Sequence, residues 1–251
     1  MLVSRRGIAL CNPITLALVS SSTLLSSSAA MAASSKACPI VIDSAIHLWS
    51  TGADPYPWAA PPPADLQRVA TAEAYIASAR EAGVGGALVV QPANHMYDHS
   101  YVTRALAENP TFFRGMGLAN PTLPAAEAVG ALEELHEAGF VGVRFNAGNF
   151  DGGIANPVGR ALFKRAGDLG MVVGVMAFKG LGPYAADVAA LCEAYPRTSV
   201  VIDHLGFFRQ PAIGGQLGDA ATNDEGSWSA LLDLAKHPQV PNCKPEPSAS
   251  P

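Results

Sequence analysis

The sequence predicts an α/β fold: a (β/α) barrel of the TIM type, truncated after about six βα units. Three observations point there. A short β-branched run, a polar loop and a helical segment recur in that order from residue 39 onward. The runs read as strands buried on both faces, which is the pattern of a parallel sheet covered by helices. Polar residues gather at the ends of these runs, where a barrel builds its active site.

The first run, residues 40–43, lies ahead of a polar, Pro-rich loop and a helical pattern over 71–82 that stops at Gly83. The second run, 86–91, ends at Gln91 and leads into a helix over 100–108. The third, 113–118, is followed by Asn120 and a helix over 125–138 that stops at Gly139. The fourth, 141–146, carries Arg144 and Asn146; Asn156-Pro157 then starts a helix over 157–169 that stops at Gly170. The fifth, 171–176, precedes Lys179 and a helix over 184–195, and the sixth, 199–204, ends at His204 before a last helix over 227–237. No run is followed by GxGxxG or GxxxxGK(S/T), so the nucleotide-binding marks of open sheets are missing. Beyond Val240 the chain reads as an irregular Pro-rich tail, 241–251, where a central strand is excluded by its prolines. The domain spans 38–240 and is incomplete as a barrel, which suggests a shortened gene model or splice product.

Residues 1–37 differ in character. Arg5 and Arg6 stand near the start, no acidic residue precedes Asp43, and serines cluster at 20–22 and 26–28. That is the make-up of a targeting peptide for plastid or mitochondrion; the alternative is secretion, since Ala30-Met31-Ala32 resembles a signal cleavage site. The composition, 49% hydrophobic and 15% charged with a net charge of -5, is that of one sizeable domain with a large core. It holds no basic stripe for a nucleic acid or an anionic membrane surface. Cys11, Cys38, Cys192 and Cys243 are widely spaced with no CxxC pair, so they read as reduced thiols.

Strand alternation selects the candidate site. On the first strand Asp43, Ala45 and His47 share one face opposite Ile42 and Ile46, so His47 points into the barrel if the isoleucines meet the helices. On the fourth, Arg144 and Asn146 look inward opposite Val143 and Phe145. On the sixth, His204 aligns with Ile202 and Val200 while Asp203 points away. A buried guanidinium needs an anion, so Arg144 either grips a substrate carboxylate, helped by Asn146, or pairs with an acidic neighbour. Gln91, His95 and Lys179 are further candidates for substrate contact at strand ends. His95 and His99 have the i, i+4 spacing of a helical ligand pair, although Asp98 is placed to cap the following helix.

The segment Val-Ile-Asp-Ser-Ala-Ile-His-Leu-Trp at 41–49 resembles the opening of the amidohydrolase-related family, Asp-x-His-x-His-(Leu/Phe)-Trp, with Ala45 where the first histidine belongs. Leu88-Val89-Val90-Gln91-Pro92, Leu118-Ala119-Asn120-Pro121, Gly142-Val143-Arg144-Phe145-Asn146 and Val201-Ile202-Asp203-His204-Leu205-Gly206 continue the likeness in order. It is closest to the branch of the 2-pyrone-4,6-dicarboxylate lactonases and their plant relatives. The resemblance implies a hydrolase of a small carboxylated lactone or ester, with His47 and His204 catalytic and His204 polarising the carbonyl. It implies either no cofactor or one divalent metal such as zinc, held by His47 and His204. The family's water-activating aspartate stands at the end of an eighth strand. Two alternatives stay open: a non-catalytic remnant that binds a carboxylate or partner, and a metal-dependent decarboxylase of the same superfamily.

Overall fold

The computed structural model describes residues 40–53, 55–207 and 225–240. Contacts divide the chain between Cys38 and Pro39, and every described residue belongs to the second unit. The targeting peptide expected at 1–37 and the tail at 241–251 lie outside the described residues, as do Cys11, Cys38 and Cys243.

The elements alternate as the sequence predicts: β1 (Val41–Ile46), α1 (Ala72–Glu81), β2 (Val84–Val90), α2 (Ser100–Glu108), β3 (Phe113–Leu118), α3 (Ala125–Glu137), β4 (Phe140–Asn146), α4 (Pro157–Asp168), β5 (Val172–Met176), α5 (Ala185–Ala194), β6 (Val200–Ile202) and α6 (Glu225–Leu234). The strands are parallel and hydrogen-bonded in chain order. A doubly wound sheet reverses its order partway, which puts helices on both faces. Here the order never reverses, so right-handed crossovers place the helices on one face and the sheet curls with its other face inside. Six units of a (β/α) barrel result. Among the described residues no helix is long and apolar enough to cross a membrane.

Local chemistry sets the helix ends. Thr71 Oγ1 accepts the Ala74 N–H at 3.3 Å, and Asn156 Oδ1 accepts the Gly159 N–H at 2.8 Å with Pro157 opening α4; each such cap contributes about 1 kcal/mol. Gly83, Gly139 and Gly170 stop α1, α3 and α4 in the left-handed region, with φ of +75°, +91° and +71°. Between sheet and helices lies the core. Val89, Val143, Phe145, Val173, Val175 and Val200 face outward and are buried against Leu106, Leu132, Phe163 and Leu191, each large side chain contributing about 1.5–3 kcal/mol. α4 approaches closely: a Cβ at Gly159 would sit 1.9 Å from the Ile154 carbonyl oxygen.

The register fixes which residues face inward. Leu118, Arg144, Gly174 and Val201 pair in one row across β3 to β6. Arg144 therefore looks inward, as expected. β1 departs from the expectation. Ile42 pairs with Gly86 and Asp43 with Ala87, but Ile46 pairs with Val89, so the register shifts between Asp43 and Ile46. An extra residue in a strand breaks its period-two alternation. Asp43 accordingly turns outward, where Tyr75 of α1 donates its hydroxyl to Asp43 Oδ2 at 3.0 Å, while Ile42 turns inward. Asp43 and His47 do not share a face. β6 departs as well: the strand ends at Ile202, and His204, Leu205, Gly206 and Phe207 all take positive φ. Alternation therefore stops before His204, and Asp203 does not point away but continues the inward face of Val201.

Candidate functional site

Arg144 and Asp203 pair at the carboxyl end of the sheet, with His47 and His204 within electrostatic range. Arg144, 3% exposed, rises from β4, and its Nε lies 2.9 Å from Oδ2 of Asp203, itself 12% exposed. The N–H is off the line to the oxygen, so the contact is an ion pair without a well-directed hydrogen bond. Burial dominates the electrostatics of both partners. It pushes the Asp203 carboxyl up and the Arg144 guanidinium down, against their mutual attraction. A buried pair of this kind is expensive to break, and removing one partner costs about 3–5 kcal/mol. The terminal nitrogens of Arg144 carry no hydrogen bond among the described residues.

His47 follows β1. Its Nδ1 lies 2.8 Å from the carbonyl oxygen of Val90. A carbonyl only accepts, so Nδ1 carries the proton and Nε2 presents a lone pair. One side of the residue reaches solvent, yet burial of the ring lowers its pKa from 6.5, with Arg144 and His204 adding to the lowering and Asp203 and the Val90 carbonyl opposing it. His47 therefore feels the charges of Arg144, Asp203 and His204 together. The imidazole of His204 stands edge-on to Phe207 at 4.9 Å, and Phe207 packs on Phe178 at 5.0 Å.

The other expected contacts divide. Asn146 ends β4 on the inward face, half-buried, beside Met176. Lys179 is exposed in the loop after β5. Gln91 is buried at 2% exposure, and its Nε2 donates to the carbonyls of Met96 and Asp98 at 3.1 and 2.8 Å. Its Nε2 thus ties down its own loop, while Oε1 is buried without a hydrogen-bond partner among the described residues. His95 is 3% exposed, stacks on Tyr101 at 5.8 Å and accepts the Ser50 N–H at Nε2; burial lowers its pKa. It too is part of the frame. His99 accepts the Leu118 N–H at 2.9 Å. His95 lies in a short 3-10 turn and His99 precedes α2, so no helix presents the two as a ligand pair. Asp98 accepts the Ser100 N–H at 2.9 Å and anchors the start of α2.

Sequence reasoning missed Asp203. A carboxylate that must neutralise an inward arginine was the available signal, hidden by the assumption that the sixth strand runs on through His204. A cavity of about 450 Å³ lined by His99, Leu132 and Leu135 lies among the outer helices and contains none of the four grouped residues.

A catalytic zinc takes three protein ligands and an open position. Among the described residues no three His, Cys, Asp or Glu side chains come together to hold an ion. His47 and His204 offer two imidazoles, Ala45 offers nothing, and Asp203 is committed to Arg144. The described residues do not by themselves fit such a metal.

Residues 42–241 match the family model described as amidohydrolase. No curated protein matches the chain significantly. Among solved structures, a probable 2-pyrone-4,6-dicarboxylic acid hydrolase from Acinetobacter baumannii with citric acid bound is 21% identical, with a TM-score of 0.57 over 77% of this chain and 66% of that one. An Agrobacterium tumefaciens protein is 21% identical with a TM-score of 0.57, over 80% and 67%. A 2,6-dihydroxybenzoate decarboxylase from Rhizobium is 14% identical with a TM-score of 0.51, over 67% and 66%. The chain thus spans about two thirds of the length of each, and at these identities the likeness is one of fold.

Proposed function

Because the chain belongs to the amidohydrolase family, we propose that it hydrolyses a small carboxylated lactone or ester by attack of water on a polarised carbonyl. The observation that carries this reading is Arg144: an inward, buried guanidinium whose terminal nitrogens carry no hydrogen bond among the described residues and whose charge reaches His47. A planar fork of that kind suits a carboxylate. In the proposed mechanism Arg144, helped by Asn146, holds a substrate carboxylate, and Lys179 attracts it at the rim. His204 donates to the carbonyl oxygen and stabilises the oxyanion. His47, neutral at pH 7 because its pKa is lowered, takes the proton of the water at Nε2 as the water oxygen bonds to the carbonyl carbon, and returns it to the ring or ester oxygen as that C–O bond breaks, leaving acid and alcohol.

Ring opening of 2-pyrone-4,6-dicarboxylate, followed by the loss of its ultraviolet absorbance with and without a chelator, tests the reading. Turnover that survives the chelator supports it. Turnover abolished by chelator and restored by metal would replace it with metal-dependent chemistry. A second reading, carboxylate binding without turnover, is favoured by one feature: Asp203 is the only carboxylate whose charge reaches His47 among the described residues, and it is occupied by Arg144. Binding of the pyrone without ring opening would establish that reading. For residues 1–37 we propose import into plastid or mitochondrion; a fluorescent fusion found in the secretory pathway would overturn it.

A further inference from the structure

Arg144 and Asp203 sit on strands that are not neighbours. β5 lies between β4 and β6, and strands about 4.8 Å apart leave roughly 10 Å for the pair to bridge. The residue beneath the bridge is Gly174, which pairs with Arg144 on one side and Val201 on the other. A Cβ there would lie 3.0 Å from Met116 Sδ and 3.8 Å from Asp203 Oδ2. A Cβ alone would crowd Met116 and only touch Asp203, whereas a side chain longer than alanine on this face of β5 would enter the space through which the ion pair passes.

Directly after Asp203 the backbone enters an unfavourable stretch. His204, Leu205, Gly206 and Phe207 have φ of 51°, 53°, 68° and 55°, and three of them carry a Cβ that disfavours left-handed geometry. Such a turn persists only where its surroundings hold it. At its far end Phe207 packs on Phe178, and Gly206 lies so near Leu181 that a Cβ would approach within 2.8 Å. At its near end the hold is Asp203.

We propose that Asp203 is a positioning residue: by reaching across Gly174 to Arg144 it fixes the left-handed turn that presents His204 and, at the same time, aims the guanidinium at the substrate carboxylate. The hold on the turn is independent of chemistry; only the identity of what Arg144 meets rests on the hydrolase reading. The consequence is that carboxylate recognition and carbonyl polarisation are set by one bridge, so a change at Asp203 disturbs His204 without touching it.

The test uses the full chain labelled at histidine, with the His204 ring signals assigned by comparison with His204→Gln. Those signals carry the ring-current imprint of Phe207 at 4.9 Å. Asp203→Asn removes the charge at constant shape and is expected to move the His204 signals toward those of a free imidazole, leaving His136 in place. Asp203→Glu keeps a carboxylate and is expected to recover part of the native position. Citrate, used as a carboxylate probe in calorimetry, is expected to bind Asp203→Asn about tenfold more weakly. Should Asp203→Asn fail to fold, Gly174→Val keeps both charges; its Cβ meets Met116 Sδ at 3.0 Å and its methyls reach beyond it toward Asp203, and it is expected to shift His204 in the same direction. His204 signals unmoved in both variants, or equally displaced in Asp203→Asn and Asp203→Glu, would overturn the proposal. These readouts need no turnover. Absence of lactone hydrolysis by the native chain would sink the hydrolase reading and leave this one standing.

Discussion

Acid should unfold this protein in part through His99, a residue outside the catalytic group. Its Nε2 accepts the Leu118 N–H at 2.9 Å and its ring meets Phe140 edge-on at 5.7 Å. Burial holds its pKa at about 4, below the ordinary 6.5, although the Tyr97 carbonyl and Asp98 oppose the shift. As pH falls below 6.5 the unfolded chain takes up this proton and the native state refuses it until about 4. The neutral imidazole therefore contributes stability that is intact above 6.5 and lost on the way down to 4. The slope is about 1.4 kcal/mol per pH unit, so a fall from 6.5 to about pH 5 costs roughly 2 kcal/mol. His99→Gln keeps an acceptor for Leu118 but cannot titrate. It should cost about 1–2 kcal/mol at neutral pH and flatten the pH dependence of urea-unfolding free energy by the amount given. His47 and His95 also carry lowered pKa values, so the native slope is steeper still and only the difference belongs to His99. Equal slopes in the native protein and His99→Gln would refute the reasoning.

Other consequences can be measured directly. Gly159→Ala places a methyl 1.9 Å from the Ile154 carbonyl oxygen, a backbone clash expected to cost more than about 3 kcal/mol and lower the melting temperature by many degrees; an unchanged melting point would contradict the α4 packing. Phe163→Ala empties a fully buried site in contact with Phe145 and Tyr195, with an expected loss of about 3–5 kcal/mol in denaturant unfolding. Tyr75→Phe removes the hydroxyl that burial and Asp43 push up to about 12; the expected cost is about 1 kcal/mol, with lactone turnover unchanged. If His47 takes the proton from water, the acid limb of kcat/KM falls below pH 6.5, because activity needs the neutral ring and its pKa is lowered. A limb above 6.5 would exclude it as the base.

Much of this was legible because helix ends and parallel strands carry local marks. Asn156-Pro157 and the stopping glycines bounded α4 and the end of α1 to within a residue or two, and β3 and α2 fall on the expected residues. Arg144 could be placed inward because β4 keeps its alternation from Gly142 to Asn146, past the register shift at its start. The misplacements occur where alternation is interrupted. Neither the register shift between Asp43 and Ile46 nor the left-handed turn at His204 is signalled by a Gly or Pro at its start. These are tertiary decisions: Tyr75 draws Asp43 outward, and Arg144 draws Asp203 inward. Gln91 and His95 show what the sequence leaves open: a polar residue at or after a strand end serves a loop as readily as a ligand, and the structure shows both buried and bonded to their own loop or its neighbours.

The central claim is that Arg144 reads a carboxylate beside the imidazoles that act on the carbonyl. It is tested most directly by comparing kcat/KM for 2-pyrone-4,6-dicarboxylate and its dimethyl ester in the native chain and in Arg144→Gln. A lost charge-assisted grip on one carboxylate is about 2–3 kcal/mol, or roughly 30- to 150-fold. The account predicts that both compounds share one loss, because the bridge to Asp203 that holds His204 is gone, and that the diacid loses that factor in addition, so its preference over the ester collapses. Equal losses on both compounds would contradict it, because Arg144 would then be holding the fold together rather than the substrate.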